Sequence, residues 1–164
     1  MKCSCQEFQE NYPDCTVCSQ GNKITVKENN RKYILNNLFV KQVCKIRIDG
    51  CVIDNKNQRK CDYLIIACKS QMVVNGNNIT SEEEMYFVEL KGKDLIGAIE
   101  QLIQTIEYFQ TQITGKVFAR VVLSRSPNPR SIETDSRVKK LKDILKKHGG
   151  NFDYCSTQYD KDRI

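Results

Sequence analysis

The chain reads as an α/β domain, a mixed central β-sheet flanked by helices, and three observations predict it. Apolar runs of strand length separated by polar turns recur from residue 23 to residue 66, and again at 85–90 and 117–123. In residues 93–112, Leu95, Ile99, Leu102, Ile106 and Phe109 fall at spacings of four, three, four and three, a single helical stripe. A second helical stretch, residues 134–147, leads into a short strand at 151–155. Strands followed by helix, strand, helix and strand describe a mixed sheet with helices packed against it.

Residues 1–20 stand apart, Cys-rich with Pro13 and a short amphipathic piece around Phe8. Ile24-Thr25-Val26 leads through the turn signal Glu28-Asn29-Asn30 into Lys32-Tyr33-Ile34-Leu35, although residues 31–39 also fit a helix. Residues 43–48 alternate with period two up to Asp49-Gly50, a hairpin signal, with Cys51-Val52-Ile53 as the returning strand. A polar turn at 54–60 precedes the strand that carries Asp62. Residues 75–84 read as an exposed loop whose Glu82–Glu84 run is a solvated flank. Residues 124–130, with two prolines, form a loop. The second helix takes its cap from Thr134 or Asp135 and stops at Gly149-Gly150.

A chain of 164 residues predicts one domain, able to bury roughly 70% of its unfolded surface. No apolar stretch approaches the ~20 residues of a membrane span, and no secretory apolar core opens the chain, so a soluble, intracellular protein is expected. Nine cysteines without a secretion signal predict reduced thiols, with Cys44, Cys51, Cys61 and Cys68 as small hydrophobes in apolar runs. The net charge of +6 concentrates between Lys116 and His148, where ten Lys and Arg face three acids. Such a basic sector suits a polyanionic substrate, and equally a solvated lysine-rich helix face.

Two strand-like runs carry acids where a core strand should have none: Cys61-Asp62-Tyr63-Leu64-Ile65-Ile66 and Met85-Tyr86-Phe87-Val88-Glu89-Leu90-Lys91-Gly92. Side chains alternate along a strand, so Glu89 and Lys91 share a face and Leu90 takes the other. Burying these charges is costly unless something compensates their desolvation. A divalent cation between Asp62 and Glu89 would do so, with Lys91 free to address an anionic oxygen or a water. Salt bridging, or charges that protect a strand edge, is the plainer account of the same trio.

An Asp beside one strand, Glu-x-Lys on the next, then a helix and a strand: this pattern, Asp62 with Glu89-Leu90-Lys91, resembles the PD-(D/E)xK nuclease superfamily, over about residues 43–123. Cys61 stands where that family often has proline. Gln104-Thr105-Ile106-Glu107-Tyr108 is similar to the Gln-x-x-x-Tyr motif of its RecB-like exonuclease branch, and Gln101 shares the same polar stripe. The resemblance implies a restriction-endonuclease-like fold over residues 21–164 and hydrolysis of phosphodiester bonds, as a DNA endonuclease. Mg²⁺ or Mn²⁺ would be held by Asp62, Glu89 and the backbone carbonyl of Leu90, a set of hard oxygen ligands. Catalysis would fall to Asp62, Glu89, Lys91 and Gln104, and substrate contact to Tyr108, Gln101, Arg125 and Arg130. Gln101 is the alternative to Gln104. Cutting both strands would call for a homodimer or a larger complex.

Cys3-x-Cys5 and Cys15-x-x-Cys18 supply four thiols, which fit surface thiols or a disulfide formed on oxidation and, as the alternative, a structural zinc knuckle in residues 1–20. A different class of function fits the same residues: a non-catalytic nucleic-acid-binding module using the basic sector.

Overall fold

The computed structural model describes residues 3–91, 94–127 and 129–164, the side chains of Met72, Arg130 and Ser131 excepted. The elements in chain order are α1 (Ser4–Asn11), β1 (Thr16–Ser19), β2 (Lys23–Glu28), β3 (Arg31–Asn36), β4 (Val43–Arg47), β5 (Tyr63–Ala67) and β6 (Ser70–Val74). They continue as β7 (Asn77–Ser81), β8 (Glu84–Glu89), α2 (Leu95–Tyr108), β9 (Lys116–Leu123), α3 (Pro129–Glu133), α4 (Ser136–Lys147), β10 (Phe152–Ser156) and β11 (Gln158–Tyr159).

The main sheet runs β1-β4-β5-β8-β9-β10. Its first three pairings are antiparallel and its last two parallel, so the α/β class with a mixed sheet holds. Central strands covered on both faces read as near-continuous apolar runs, and the two faces sort by parity. Leu64, Ile66, Met85, Phe87, Ala119 and Val121 pack with Ile99 and Leu102 of α2 and Leu141 and Leu145 of α4. Ile65, Tyr86, Val88 and Val122 meet Ile24, Tyr33 and Leu35 of a second sheet, β11-β3-β2. The section is therefore helix layer, main sheet, small sheet. The Asp94 side chain caps α2 by accepting from the Gly97 amide, and Asp135 caps α4 by accepting from the Arg137 amide.

Several expectations change. Residues 31–36 form strand β3, as the turn signal at 28–30 implies, and not the alternative helix, because β2 pairs with them in register across the Asn29 turn (φ 53°). Residues 51–53 do not return as a strand: the Ile53 amide donates to the Ile48 carbonyl at 3.0 Å, closing a tight loop around Gly50 (φ 70°). β4 pairs antiparallel with β1 and with β5 instead, with Val43 opposite Ala67. Residues 75–84 are not simply loop. Asn75 and Gly76 both have positive φ, the two-residue turn that joins β6 to β7. Glu83 is buried, not solvated. The first helix shortens to residues 95–108; Lys93 lies outside the described residues.

The N-terminal stretch is built into the sheet. β1 is an edge strand, and Cys5 and Phe8 of α1 enter the core. Three of its four cysteines are not reduced thiols: Cys3 pairs with Cys68, Cys15 with Cys51 and Cys18 with Cys44, while Cys5 stays free. The β1–β4 register places Cys18 opposite Cys44, which brings those sulfurs together. The alternative zinc set of Cys3, Cys5, Cys15 and Cys18 is therefore not assembled, since three of its four sulfurs are each bonded to a different distant partner. Among the described residues, no helix is long and apolar enough to cross a membrane.

Candidate active site

Asp62 and Glu89 meet because β5 and β8 are antiparallel neighbours. Tyr63 stands opposite Val88, so the residue preceding β5 lies across from the last residue of β8. Asp62 itself is one residue before the strand. The Asp62 amide donates to Glu89 Oε2 at 3.1 Å, and the Leu90 amide donates to Asp62 Oδ2 at 2.8 Å. Each carboxylate is thus fixed by the other segment's backbone. Glu89 continues the parity of Met85 and Phe87 toward the helix layer, while Leu90 belongs to the opposite cluster.

Glu89 is only 3% exposed. Burial raises its carboxyl to about 9, with the nearby Asp62 charge adding to the rise and Lys91 opposing it. Burial likewise raises Asp62 to about 6, opposed by the Leu90 amide and reinforced by Glu28 and Asp49. Two acids whose charged forms are this disfavoured form a site that a cation would stabilise.

Lys91 follows directly, and its Nζ donates to Gln101 Oε1 at 2.9 Å. Gln101 Nε2 in turn donates to the Lys60 carbonyl at 3.0 Å. Thr105, one turn on, accepts from the Cys61 amide at 2.8 Å and donates to the Gln101 carbonyl at 2.7 Å. Helix α2 is thereby tied to the segment that presents Asp62, and its glutamine fixes the lysine.

Gln101, not Gln104, is therefore the glutamine that reaches the trio. Gln104 and Tyr108 instead line a cleft of about 750 Å³ with Arg59, Glu100, Arg137 and Lys140. Arg125 is exposed in the bend after β9, at the end of the sheet where Glu89 lies, since Glu89 pairs with Val121 two residues before that strand ends. The side chain of Arg130 lies outside the described residues. The carbonyl of Leu90, expected to face a metal, accepts from Arg31 Nε at 3.1 Å.

Other groups gather at the site without having been singled out. A cleft of about 240 Å³ brings Glu28, Arg47 and Asp49 beside Asp62, and one of about 430 Å³ brings Lys56, Arg59 and Lys60 beside Lys91. Asp49 and the lysines were visible as turn residues, but nothing in the sequence links Glu28 or Arg31 to Asp62. The C-terminal basic sector is less available than its charge suggests. Arg120 is buried against Asp162, and Arg137 pairs with Asp135 and Glu100.

Comparisons with models of known families, with curated proteins and with solved structures return no match. The class rests on geometry alone: an α/β domain whose adjacent strand ends carry a buried carboxylate pair with a lysine beside it.

Proposed function

We propose that this chain is a divalent-metal-dependent nuclease of restriction-endonuclease-like fold, cleaving phosphodiester bonds in DNA. The observation that carries the reading is the mutual clamp of Asp62 and Glu89, with Lys91 held beside them by Gln101. The donor set fits a hard cation: two carboxylates from adjoining segments, each with one oxygen engaged by an amide. A bound Mg²⁺ or Mn²⁺ supplies a more acidic water and charge neutralisation at the scissile phosphate.

The chain's own residues do the rest. Asp62 and Glu89 would hold the ion, with Asp62 Oδ1 and Glu89 Oε1 the oxygens their amide clamps leave over. Lys91 places a positive charge next to the anionic oxygens of the substrate, where charge grows in the transition state. Gln101 keeps that ammonium from swinging away. Lys56, with Arg59 and Lys60 once they turn from Glu100 and Asp49, gives the polyanion a place to lie, through phosphate contacts that carry no sequence information.

One observation favours the rival reading, a non-catalytic nucleic-acid-binding module. Arg31 Nε takes one lone pair of the Leu90 carbonyl and sets a positive charge beside the oxygen expected to face a metal. The test is incubation of the protein with circular single-stranded and supercoiled double-stranded DNA in Mg²⁺, Mn²⁺ or chelator. Nicking should need the metal and should fall by at least about 100-fold in Lys91→Ala. Gln101→Ala should slow it about tenfold or more, and Gln104→Ala much less. DNA retarded on a gel but left uncut in every metal, with linear DNA and RNA also intact, would establish the binding module instead.

A further inference from the structure

At the opposite end of β5 from Asp62, roughly 20 Å along the strand, three sulfurs and a carboxylate converge. The Sγ atoms of Cys3, Cys5 and Cys68 all lie within 4.8 Å of one another. Cys3 and Cys68 are bonded, and the Cys5 sulfur approaches Cys68 Sγ to 2.9 Å. Cys5 and Cys68 are buried, and Cys3 is partly so. Glu83, 2% exposed, brings Oε2 to 3.3 Å from Cys3 Sγ. Its carboxylate accepts from the Ser4 amide and from Thr114 Oγ1, each at 3.0 Å, so its aim is fixed.

We propose that this corner, when reduced, is a tetrahedral zinc site with the thiolates of Cys3, Cys5 and Cys68 and the carboxylate of Glu83 as ligands. The Cys3–Cys68 disulfide is then its oxidised, metal-free state.

The donor chemistry selects the ion. Thiolates favour zinc over magnesium or calcium, and a carboxylate oxygen is an ordinary fourth zinc ligand. The dimensions agree as well. Zinc–sulfur bonds of about 2.3 Å hold tetrahedral sulfurs roughly 3.8 Å apart, within the present 4.8 Å spread. The buried carboxylate, held by two neutral donors, would also gain a counter-charge from the ion. The ligands come from three segments: the start of α1, the residue after β5 and the residue before β8. The ion would therefore pin α1 to the sheet, a structural task far from the Asp62 site and independent of the nuclease reading.

The interconversion balances with a phosphine as reductant. The phosphine takes the oxygen of one water and becomes its oxide, while the two hydrogens of that water pass to the Cys3 and Cys68 sulfurs. Zinc then displaces three thiol protons to solvent.

The test is titration of the phosphine-reduced, anaerobic full chain with Co²⁺, a spectroscopic substitute for zinc. One equivalent should give thiolate-to-cobalt charge transfer in the near ultraviolet and intense visible bands of tetrahedral cobalt, both abolished by zinc. The unreduced protein should give neither. Cys5→Ser should weaken binding by more than about 100-fold, whereas Cys15→Ser should leave it unchanged. Glu83→Gln, which keeps all three sulfurs, should shift the visible bands. Absence of charge transfer in the reduced wild type, or binding by Cys5→Ser as tight as wild type, would overturn the site. If Cys5→Ser does not fold, an unshifted spectrum in Glu83→Gln does so.

Discussion

Glu89 is the residue on which folding and chemistry pull in opposite directions. Its carboxyl is raised from the ordinary 4.5 to about 9 by burial first and by Asp62 second, and Asp62 is raised from 3.8 to about 6. An acid raised in the folded state holds its proton more tightly there than in the unfolded chain. Its contribution is fully present below the unfolded value and is lost as pH climbs toward the folded one. Without divalent ions, stability should therefore decline between about pH 4 and about pH 9, and Glu89→Gln should flatten most of that decline. Urea denaturation midpoints across this range measure it. A divalent ion bound here would reverse the sense, because it would need both carboxylates ionised. Mn²⁺ affinity, read by calorimetry, should rise with pH and be accompanied by proton release. A pH-independent affinity, with no protons released, would mean that these two acids are not the ligands.

At the scale of elements, Gly149 and Gly150 separate two kinds of glycine that look alike in sequence. Gly149 (φ 71°) ends α4 in the left-handed region, with its amide donating to the Lys146 carbonyl at 3.1 Å. Gly150 has no such φ, but a Cβ there would run into the Val117 carbonyl on β9. Gly149→Ala should cost about 1 kcal/mol, the usual penalty for the left-handed region. Gly150→Ala should cost about 2 kcal/mol or more, because β10 must move off β9. Thermal unfolding midpoints of the two variants decide the order. The pair marks how far the elements were legible. Local signals suffice where they state a period or a cap: the stripe of α2, the Asp135 cap and the runs that became β8 and β9. They do not suffice where a distant segment decides. The strand at 51–53 dissolves because β4 finds β5, and the disulfides depend on registers that link residue 18 to residue 44. The trio of Asp62, Glu89 and Lys91 was readable because acids in apolar runs are rare. Gln101 was separable from Gln104 only by the hydrogen bond it accepts from Lys91 across α2 and the end of β8. Arg31 and Glu28 arrive from a hairpin with no sequence tie to the site.

The whole molecule is closed by a pairing that its composition disguises. Arg120, counted among the basic residues of the C-terminal sector, is 3% exposed, lying between the main sheet and the small one. Its Nε and Nη2 donate to the two oxygens of Asp162 at 2.7 and 3.0 Å, and Tyr33 Oη donates to the same carboxylate at 2.7 Å. Nη1 donates to the carbonyls of Ala119 and Asn151, so the guanidinium joins β9, β10, β3 and the C-terminal segment. The same segment extends the small sheet, where β11 lies parallel to β3 and the Ile164 amide donates to the Asn36 carbonyl at 2.9 Å. Removing one member of such a pair leaves a charge in a medium that solvates it poorly, and the cost is larger than the net worth of the pair. Asp162→Ala should therefore destabilise by about 3–5 kcal/mol in urea unfolding. Arg120→Met combined with Asp162→Ala should recover much of that loss, because no uncompensated charge remains. If the double variant were as unstable as Asp162→Ala alone, the carboxylate would be holding the C-terminal segment through Tyr33 and not neutralising Arg120. Tyr33→Phe would then carry a comparable loss by itself.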